Sequence, residues 1–439
     1  MTDNFDPIFA ENGGVDSDIT YYTYANKGLF DEPLRYKCFN KAIQIGQERT
    51  NDLLNNGPRP GMPGASFESV LTDIYPGETS PLGSSSVVDT AKPTADYLSY
   101  AIAKIGNYRK IIACDNATSL SLDIINIDTM SFDGAQSIPS TSLPDLGTEE
   151  WKPIGITCDN SNAYVVWFQS NVADASYSDY YLQAYELSSW TVVNGWPSTG
   201  LFLFDSGGTV ARVDIITANS SLLAIGNWVS GDSVLFVEKA DGTISSSGDG
   251  DGASGAKNIC SNGTYIFTSD GFSVSISNPA VGCGGTNWPV TVSDSNDVAC
   301  IGDLVVYTAD FTNIAYIAHA ENALIGTVAS TNDNVCKKLS RITSNGLYFY
   351  AIGIREVDTV DRYCMFKIDP YVAVNKDGST SEVLDHSIIT PIGLIDTASY
   401  APETSPESPP IIYDSESMWV VQEKSNNCEF IRVTRINLR

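Results

Sequence analysis

Ile342-Thr343-Ser344-Asn345-Gly346-Leu347-Tyr348-Phe349-Tyr350 reads as an aliphatic approach, a small residue, an Asn-Gly turn and a strand-forming run. Asn-Gly between two apolar runs is the signature of a tight β-hairpin. The same phrase recurs at Ile112-Ala113-Cys114-Asp115-Asn116, Ile156-Thr157-Cys158-Asp159-Asn160, Ile216-Thr217-Ala218-Asn219-Ser220, Ile259-Cys260-Ser261-Asn262-Gly263 and Val298-Ala299-Cys300-Ile301-Gly302. A weaker copy stands at Ile411-Ile412-Tyr413-Asp414-Ser415. Most steps between copies are about 40–45 residues, the period of propeller blades. The two longer steps hold insertions, Ser170 to Asp179 and the Pro-rich Tyr400 to Pro410.

Each phrase is followed by strand-like runs, such as Tyr164–Phe168, Tyr265–Phe267 and Leu304–Tyr307, and then by a second set including Tyr181–Tyr185, Val234–Val237, Ala315–Ala318 and Met365–Ile368. Three to four strands per unit joined by hairpins is the anatomy of a propeller blade. Such a sheet cannot bury both of its faces alone, so units must stack and the array must close. The expected fold is therefore all-β: a seven-bladed β-propeller over residues 96–439, preceded by an irregular N-terminal arm, 1–95, with one α-helix. The last unit ends on Cys428 to Leu438 and lacks an outer strand, for which Tyr97–Ile102 is the candidate.

The small residue of the phrase is Cys in four copies, Cys114, Cys158, Cys260 and Cys300. Buried Cys packs as a small hydrophobe. Equivalent positions around a ring are held apart, so these four thiols are expected to be buried, unpaired and mutually distant.

The arm does not repeat. Lys37 to Leu54 has helical spacing, with Phe39, Ile43 and Leu53 on one face, and Gly57-Pro58-Arg59-Pro60-Gly61 stops it. So few apolar anchors bury too little surface to offset ordering entropy. Phe39, Ile43 and Leu53 are accordingly the expected assembly contacts with neighbouring subunits, in a homo-oligomer.

Composition excludes some functions. With 53 acidic and 25 basic residues the formal charge is −28, and no basic cluster provides a nucleic-acid footprint. No apolar run approaches the roughly 18 residues of a membrane span, and the N-terminus lacks a secretory pattern. The chain is expected to be made in a cytoplasm, without membrane insertion. Its two histidines, His319 and His386, form no recognisable catalytic constellation, so no catalytic residue and no cofactor is assigned. Asp249 and Asp251, in a Gly-rich loop, are weak metal candidates without the further ligands calcium needs. Trp190, Trp196 and Trp288 sit beside loop residues, where they could be a stacking surface for sugars or proteins, or could fill gaps between blades.

An acidic, Ser/Thr/Asn/Gly-rich propeller behind a long arm resembles the propeller-bearing tail nozzle or hub proteins of tailed bacteriophages. That resemblance covers the repeat array from about Tyr108 to Arg439 and rests on architecture and composition. It implies a virion structural protein that assembles with other tail subunits and allows DNA passage or host contact through a cell-surface glycan or receptor. The alternative is a non-catalytic carbohydrate- or protein-binding propeller.

Overall fold

The computed structural model describes residues 85–89 and, with interruptions at loops, 97–434. The chain divides between Tyr75 and Pro76, and all described residues belong to the second unit. The helix expected over Lys37 to Leu54, with Phe39, Ile43 and Leu53, lies outside the described residues; among these there is no α-helix.

The first strand, β1, is Ser85–Asp89. Four antiparallel strands follow as one sheet: β2 (Tyr97–Ile105), β3 (Tyr108–Asp115), β4 (Ser121–Asn126) and β5 (Ser131–Ser137). A second comprises β6 (Trp151–Cys158), β7 (Asn162–Ser170), β8 (Ser178–Glu186) and β9 (Leu201–Asp205). A third comprises β10 (Ile215–Thr217), β11 (Leu222–Gly226), β12 (Val234–Glu238) and β13 (Ile244–Gly248). Three strands make the fourth sheet: β14 (Ile259–Ser261), β15 (Tyr265–Thr268) and β16 (Ser273–Ser275). The fifth runs β17 (Ser295–Ile301), β18 (Leu304–Ala309), β19 (Asn313–His319) and β20 (Ala323–Ala329). The sixth takes β21 (Lys338–Ser344), β22 (Phe349–Val357) and β23 (Val360–Ile368); the loop beyond contributes β24 (Glu382–Val383), parallel to β20 in the fifth sheet, before β25 (Ile389–Leu394) completes the sixth. Last come β26 (Ile411–Tyr413), β27 (Ser417–Lys424) and β28 (Asn427–Thr434).

The final sheet is completed by β1, which pairs antiparallel with β28, Val87 opposite Phe430. Closure by an N-terminal strand was expected, but from the wrong segment. Tyr97–Ile105 instead opens the first sheet, because Gly106-Asn107 turns it straight back onto β3 with Ile105 opposite Tyr108. Gly106 has φ 63°, a conformation that glycine adopts without steric cost.

The middle strands show why the sheets need neighbours on both sides. In β7, Ala163, Val165 and Trp167 pack with Ile112, Cys114 and Leu122 of the first sheet, while Tyr164, Val166 and Phe168 pack with Ile215, Leu223 and Ile225 of the third. Alternation along a strand sends successive side chains to opposite faces, and here both faces are apolar and buried. The pattern repeats around the array. Ala224 and Phe236 meet Ile266 and Val274; Phe267 meets Val305 and Tyr307; Val306 and Ile317 meet Phe349 and Phe366; Tyr350 and Met365 meet Met418 and Val420. The ring closes where Trp419, fully buried, packs with Ile111, Ala113 and Ile125 of the first sheet.

The protein is an all-β propeller. The expectation of seven blades is corrected: six sheets reach four strands and are full blades, whereas β14–β16 has only three. The segment after β16 explains the shortfall. Pro279 and Pro289 have no N–H to donate to a ladder there, and Gly282 and Gly284 lower strand propensity. That segment leans on the sheet through isolated bonds instead, Cys283 N–H to Ser273 Oγ at 2.8 Å and Val290 N–H to the Gly271 carbonyl at 2.9 Å.

Two predictions follow from closure. Trp419→Ala should cost about 3–5 kcal/mol in denaturant unfolding, the range for truncating a large aromatic in a packed core. Deleting residues 85–89 exposes β28 as an open edge and should give concentration-dependent aggregation by light scattering, with the undeleted chain as reference.

Candidate functional site

The recurring phrase lies on the innermost strand of its sheet at β6, β10, β14, β17, β21 and β26. The copy at Ile112–Asn116 is out of phase, since it lies on β3. Its true counterpart is Ile102-Ala103-Lys104-Ile105 on β2, where exposed Lys104 takes the place of the small residue.

Asp and Asn recur in the phrase for a structural reason. Asp159 Oδ1 accepts the backbone N–H groups of Ser161 and Asn162, both at 2.9 Å. Asn219 does the same for Ser221 and Leu222, Asn262 for Thr264 and Tyr265, and Asn345 for Leu347 and Tyr348, all within 2.8–3.0 Å. Each side chain thus replaces backbone partners at the first hairpin turn of its sheet. Burial works against the ionised Asp159 carboxylate, but the Ser161 N–H, the Tyr164 hydroxyl and the Asn162 N–H outweigh it and hold the group below the ordinary aspartate range.

Adjacent innermost strands are tied by side chains rather than by a ladder. Ser99 Oγ accepts the N–H of Ile156 at 3.1 Å, Asp214 Oδ2 that of Ile259 at 2.9 Å, and Asp297 Oδ2 that of Ile342 at 3.1 Å. Ser261 Oγ donates to the Ala218 carbonyl and Ser344 Oγ to the Cys300 carbonyl. Deeper in the wall, Asn258 Nδ2 donates to the Asn296 carbonyl and Asn296 Nδ2 to that of Leu339.

These residues surround a central cavity of about 440 Å³, lined by Ser99, Asp214, Thr217, Asn258, Asp297 and Arg341 among others. That volume lies within the roughly 300–1,000 Å³ of small-molecule sites. Buried Arg341 donates from Nη1 to Asn258 Oδ1 at 3.2 Å and lies 3.8 Å from Asp297 Oδ2. Asp297 Oδ1 also takes the N–H of Val298. The carboxylates of this wall therefore hold strands in place, and Asp297 sits beside a fixed cation. No cluster of three or more His, Cys, Asp or Glu side chains among the described residues is arranged to hold a metal ion.

The residues proposed from sequence fall elsewhere. Trp190 and Trp196 are buried, 8% and 6% exposed, the gap-filling arrangement of the two that the sequence left open. Trp190 packs with Trp167 and Leu187 between the first two sheets. Trp196 packs on Tyr164, ring centroids 5.7 Å apart, and donates from Nε1 to the Lys239 carbonyl at 2.8 Å. Trp288 is half-buried, tilted against Phe267 at 5.6 Å, with Nε1 bonded to the His319 carbonyl. The three thus fill gaps between sheets and form no common surface. Asp249 is exposed, and Asp251 and His386 lie outside the described residues.

Of the four phrase cysteines, Cys114 is fully buried and Cys158, Cys260 and Cys300 are partly covered. Cys260 and Cys300, on successive innermost strands, line the same cavity and pack against the same cluster, because neighbouring strands converge at the ring centre. The site residues that sequence analysis missed are Asp214, Asn258, Asp297 and Arg341. Their signal was a polar residue just before each aliphatic approach, as in Asp214-Ile215-Ile216 and Asp297-Val298-Ala299.

No protein-family model and no curated protein matches the chain. Among solved structures, a chain of "Crystal Structure of Mitotic Checkpoint Complex" is 12% identical with a TM-score of 0.48, covering 82% of this chain and 96% of that one. The WD40 beta propeller domain of Doa1 is 8% identical with a TM-score of 0.45, over 81% and 98%. U3-55K is 10% identical with a TM-score of 0.31, over 62% and 92%. Their scores fall below one half, so the propeller rests on the strand order and sheet interfaces described above.

Asp297→Ala leaves Arg341 buried without its carboxylate and should cost about 3–5 kcal/mol by chemical denaturation. At the turn, Asp159→Asn should be nearly neutral at pH 7, since Asn serves the equivalent turns, whereas Asp159→Ala should cost about 1 kcal/mol. The native carboxyl of Asp159 titrates below its unfolded value, so its ionic contribution is present above about pH 4. Since the two proteins are nearly equal at pH 7, the native chain should become less stable than Asp159→Asn as pH falls below that point.

Proposed function

We propose that this chain is a non-catalytic binding propeller. The observation that carries this is the employment of the cavity carboxylates: Asp214 and Asp297 accept backbone N–H groups of the next sheet, and Asp297 also faces Arg341. General acid–base work needs a group positioned to exchange its proton with a substrate. In this wall those groups position strands instead.

On the finer reading, the partners are other subunits of a virion, and the chain is a tail nozzle or hub protein that forms homo-oligomers. A charge of −28 favours a soluble, non-adhesive surface that nucleic acid would not bind. The cavity has small-molecule dimensions, so a passage for DNA would lie between subunits rather than through one propeller. The alternative is a glycan-binding propeller, favoured by the hydroxyl groups of Thr217 and Thr343 on the cavity wall.

The two readings separate on a deletion of residues 1–60, compared with the full chain by analytical ultracentrifugation, circular dichroism and glycan-array binding. The assembly reading expects a folded propeller that no longer forms the oligomer of the full chain and binds no glycan. If the shortened protein still enters that oligomer, the assembly reading fails. Selective glycan capture by both proteins would establish the alternative in its place.

A further inference from the structure

Arg341 departs from the pattern of the inner strands. It stands just before Ile342, as Asp214, Asn258 and Asp297 stand just before Ile215, Ile259 and Val298. At that position Asp214 and Asp297 each accept a backbone N–H of the following sheet, from Ile259 and Ile342. A guanidinium has N–H donors and no acceptor, so Arg341 cannot make that tie. It reaches back instead from the sixth sheet to Asn258, the residue before β14, where Nη1 donates to Oδ1 at 3.2 Å.

These contacts leave a buried cation short of partners. Arg341 is 6% exposed, its Nε has no hydrogen-bond partner, and Asp297 Oδ2 lies at 3.8 Å, beyond hydrogen-bond length. A buried charge is costly unless it is paired and hydrogen-bonded. The side chain lines the central cavity, so a ligand held there can supply the missing acceptor.

We infer that the central cavity binds a free α-amino acid, its carboxylate on Arg341 and its ammonium group toward Asp214 and Asp297. This rests on the reading of the chain as a non-catalytic binding propeller and names the ligand of its cavity. Charge selects the class. The charged side chains among the described lining residues are Asp214, Asp297 and Arg341, two carboxylates against one guanidinium. An anion meets net repulsion there, and more from a chain of charge −28. A simple cation leaves Arg341 without an acceptor. A zwitterion answers both signs, and its planar carboxylate can take two N–H groups of the guanidinium fork at once. Ile216, Val298 and Ala299 give the wall apolar surface for the ligand's side chain, and a volume of about 440 Å³ accommodates a molecule of this size.

The test uses the full chain, screened by thermal shift against the common L-amino acids, with the strongest binder titrated by calorimetry. The expected result is saturable binding that weakens about tenfold or more for the methyl ester of that amino acid and for its deaminated analogue, since each loses a charge-assisted contact. Asp214→Asn keeps an oxygen for the Ile259 N–H, and Arg341→Lys keeps the cation without the fork; both should weaken binding while circular dichroism is unchanged. The two analogues carry the test on the native chain should either variant misfold. Saturable binding by none of the amino acids, or equal binding of the ester or the deaminated analogue, would overturn the inference. So would undiminished affinity in a folded Asp214→Asn protein, or glucose or acetate binding in the amino acid's place. Mass spectrometry of the titrated amino acid separates this from the reading beneath it. Recovery of the amino acid unaltered keeps the non-catalytic reading even where binding fails, whereas its conversion to a product would overturn that reading and the inference built on it.

Discussion

Val165 and Val166 are neighbours on one strand, point to opposite sides of one sheet, and are both fully buried. The architecture depends on that constraint. A sheet with two apolar faces needs two neighbours, and if every sheet needs two, the array ends only by returning to its start. Closure is therefore demanded by burial, at about 25 cal/mol per Å² of apolar surface removed from water. Trp419 and the pairing of β1 with β28 supply it here.

The cavity is a product of the same geometry. Where the sheets converge, inner strands come too close for large side chains and too far apart for a backbone ladder. Short polar groups fill the gap: Ser99, Asp214, Asn258, Ser261 and Asp297 each bond to the backbone of an adjacent sheet. These bonds satisfy donors and acceptors that burial would otherwise leave unpaired, a cost of about 1–3 kcal/mol for each group. They also commit the carboxylates of the wall to structure.

Much of the fold was legible because hairpin chemistry is local. Asn219, Asn262 and Asn345 announce their turns within a few residues, and the strands that follow, such as Tyr164–Phe168 and Leu304–Tyr307, lie within observed elements. What was misread depends on relations between sheets. Lys104 does not resemble a phrase cysteine, so the first unit was placed one strand late. The closing strand Ser85–Asp89 is short and lies in a stretch that resembles a linker. Trp190 and Trp196 stand beside loop residues in sequence, yet neighbouring sheets cover them. The wall of the cavity was hidden for the same reason: Asp297 and Arg341 acquire meaning only when the next sheet is beside them, and the convergence that puts Cys260 and Cys300 on one cavity wall is encoded in no single repeat.

Ring closure is the claim on which these arguments converge, and amide hydrogen exchange followed by mass spectrometry tests it most directly. Peptides covering 85–89 and 427–434 should be protected to an extent comparable with the central strands β7 and β22, since all belong to one closed set of interfaces. Rapid exchange at 85–89 and 427–434, with β7 and β22 still protected, would show that the last sheet is not completed by the N-terminal strand and would contradict the account.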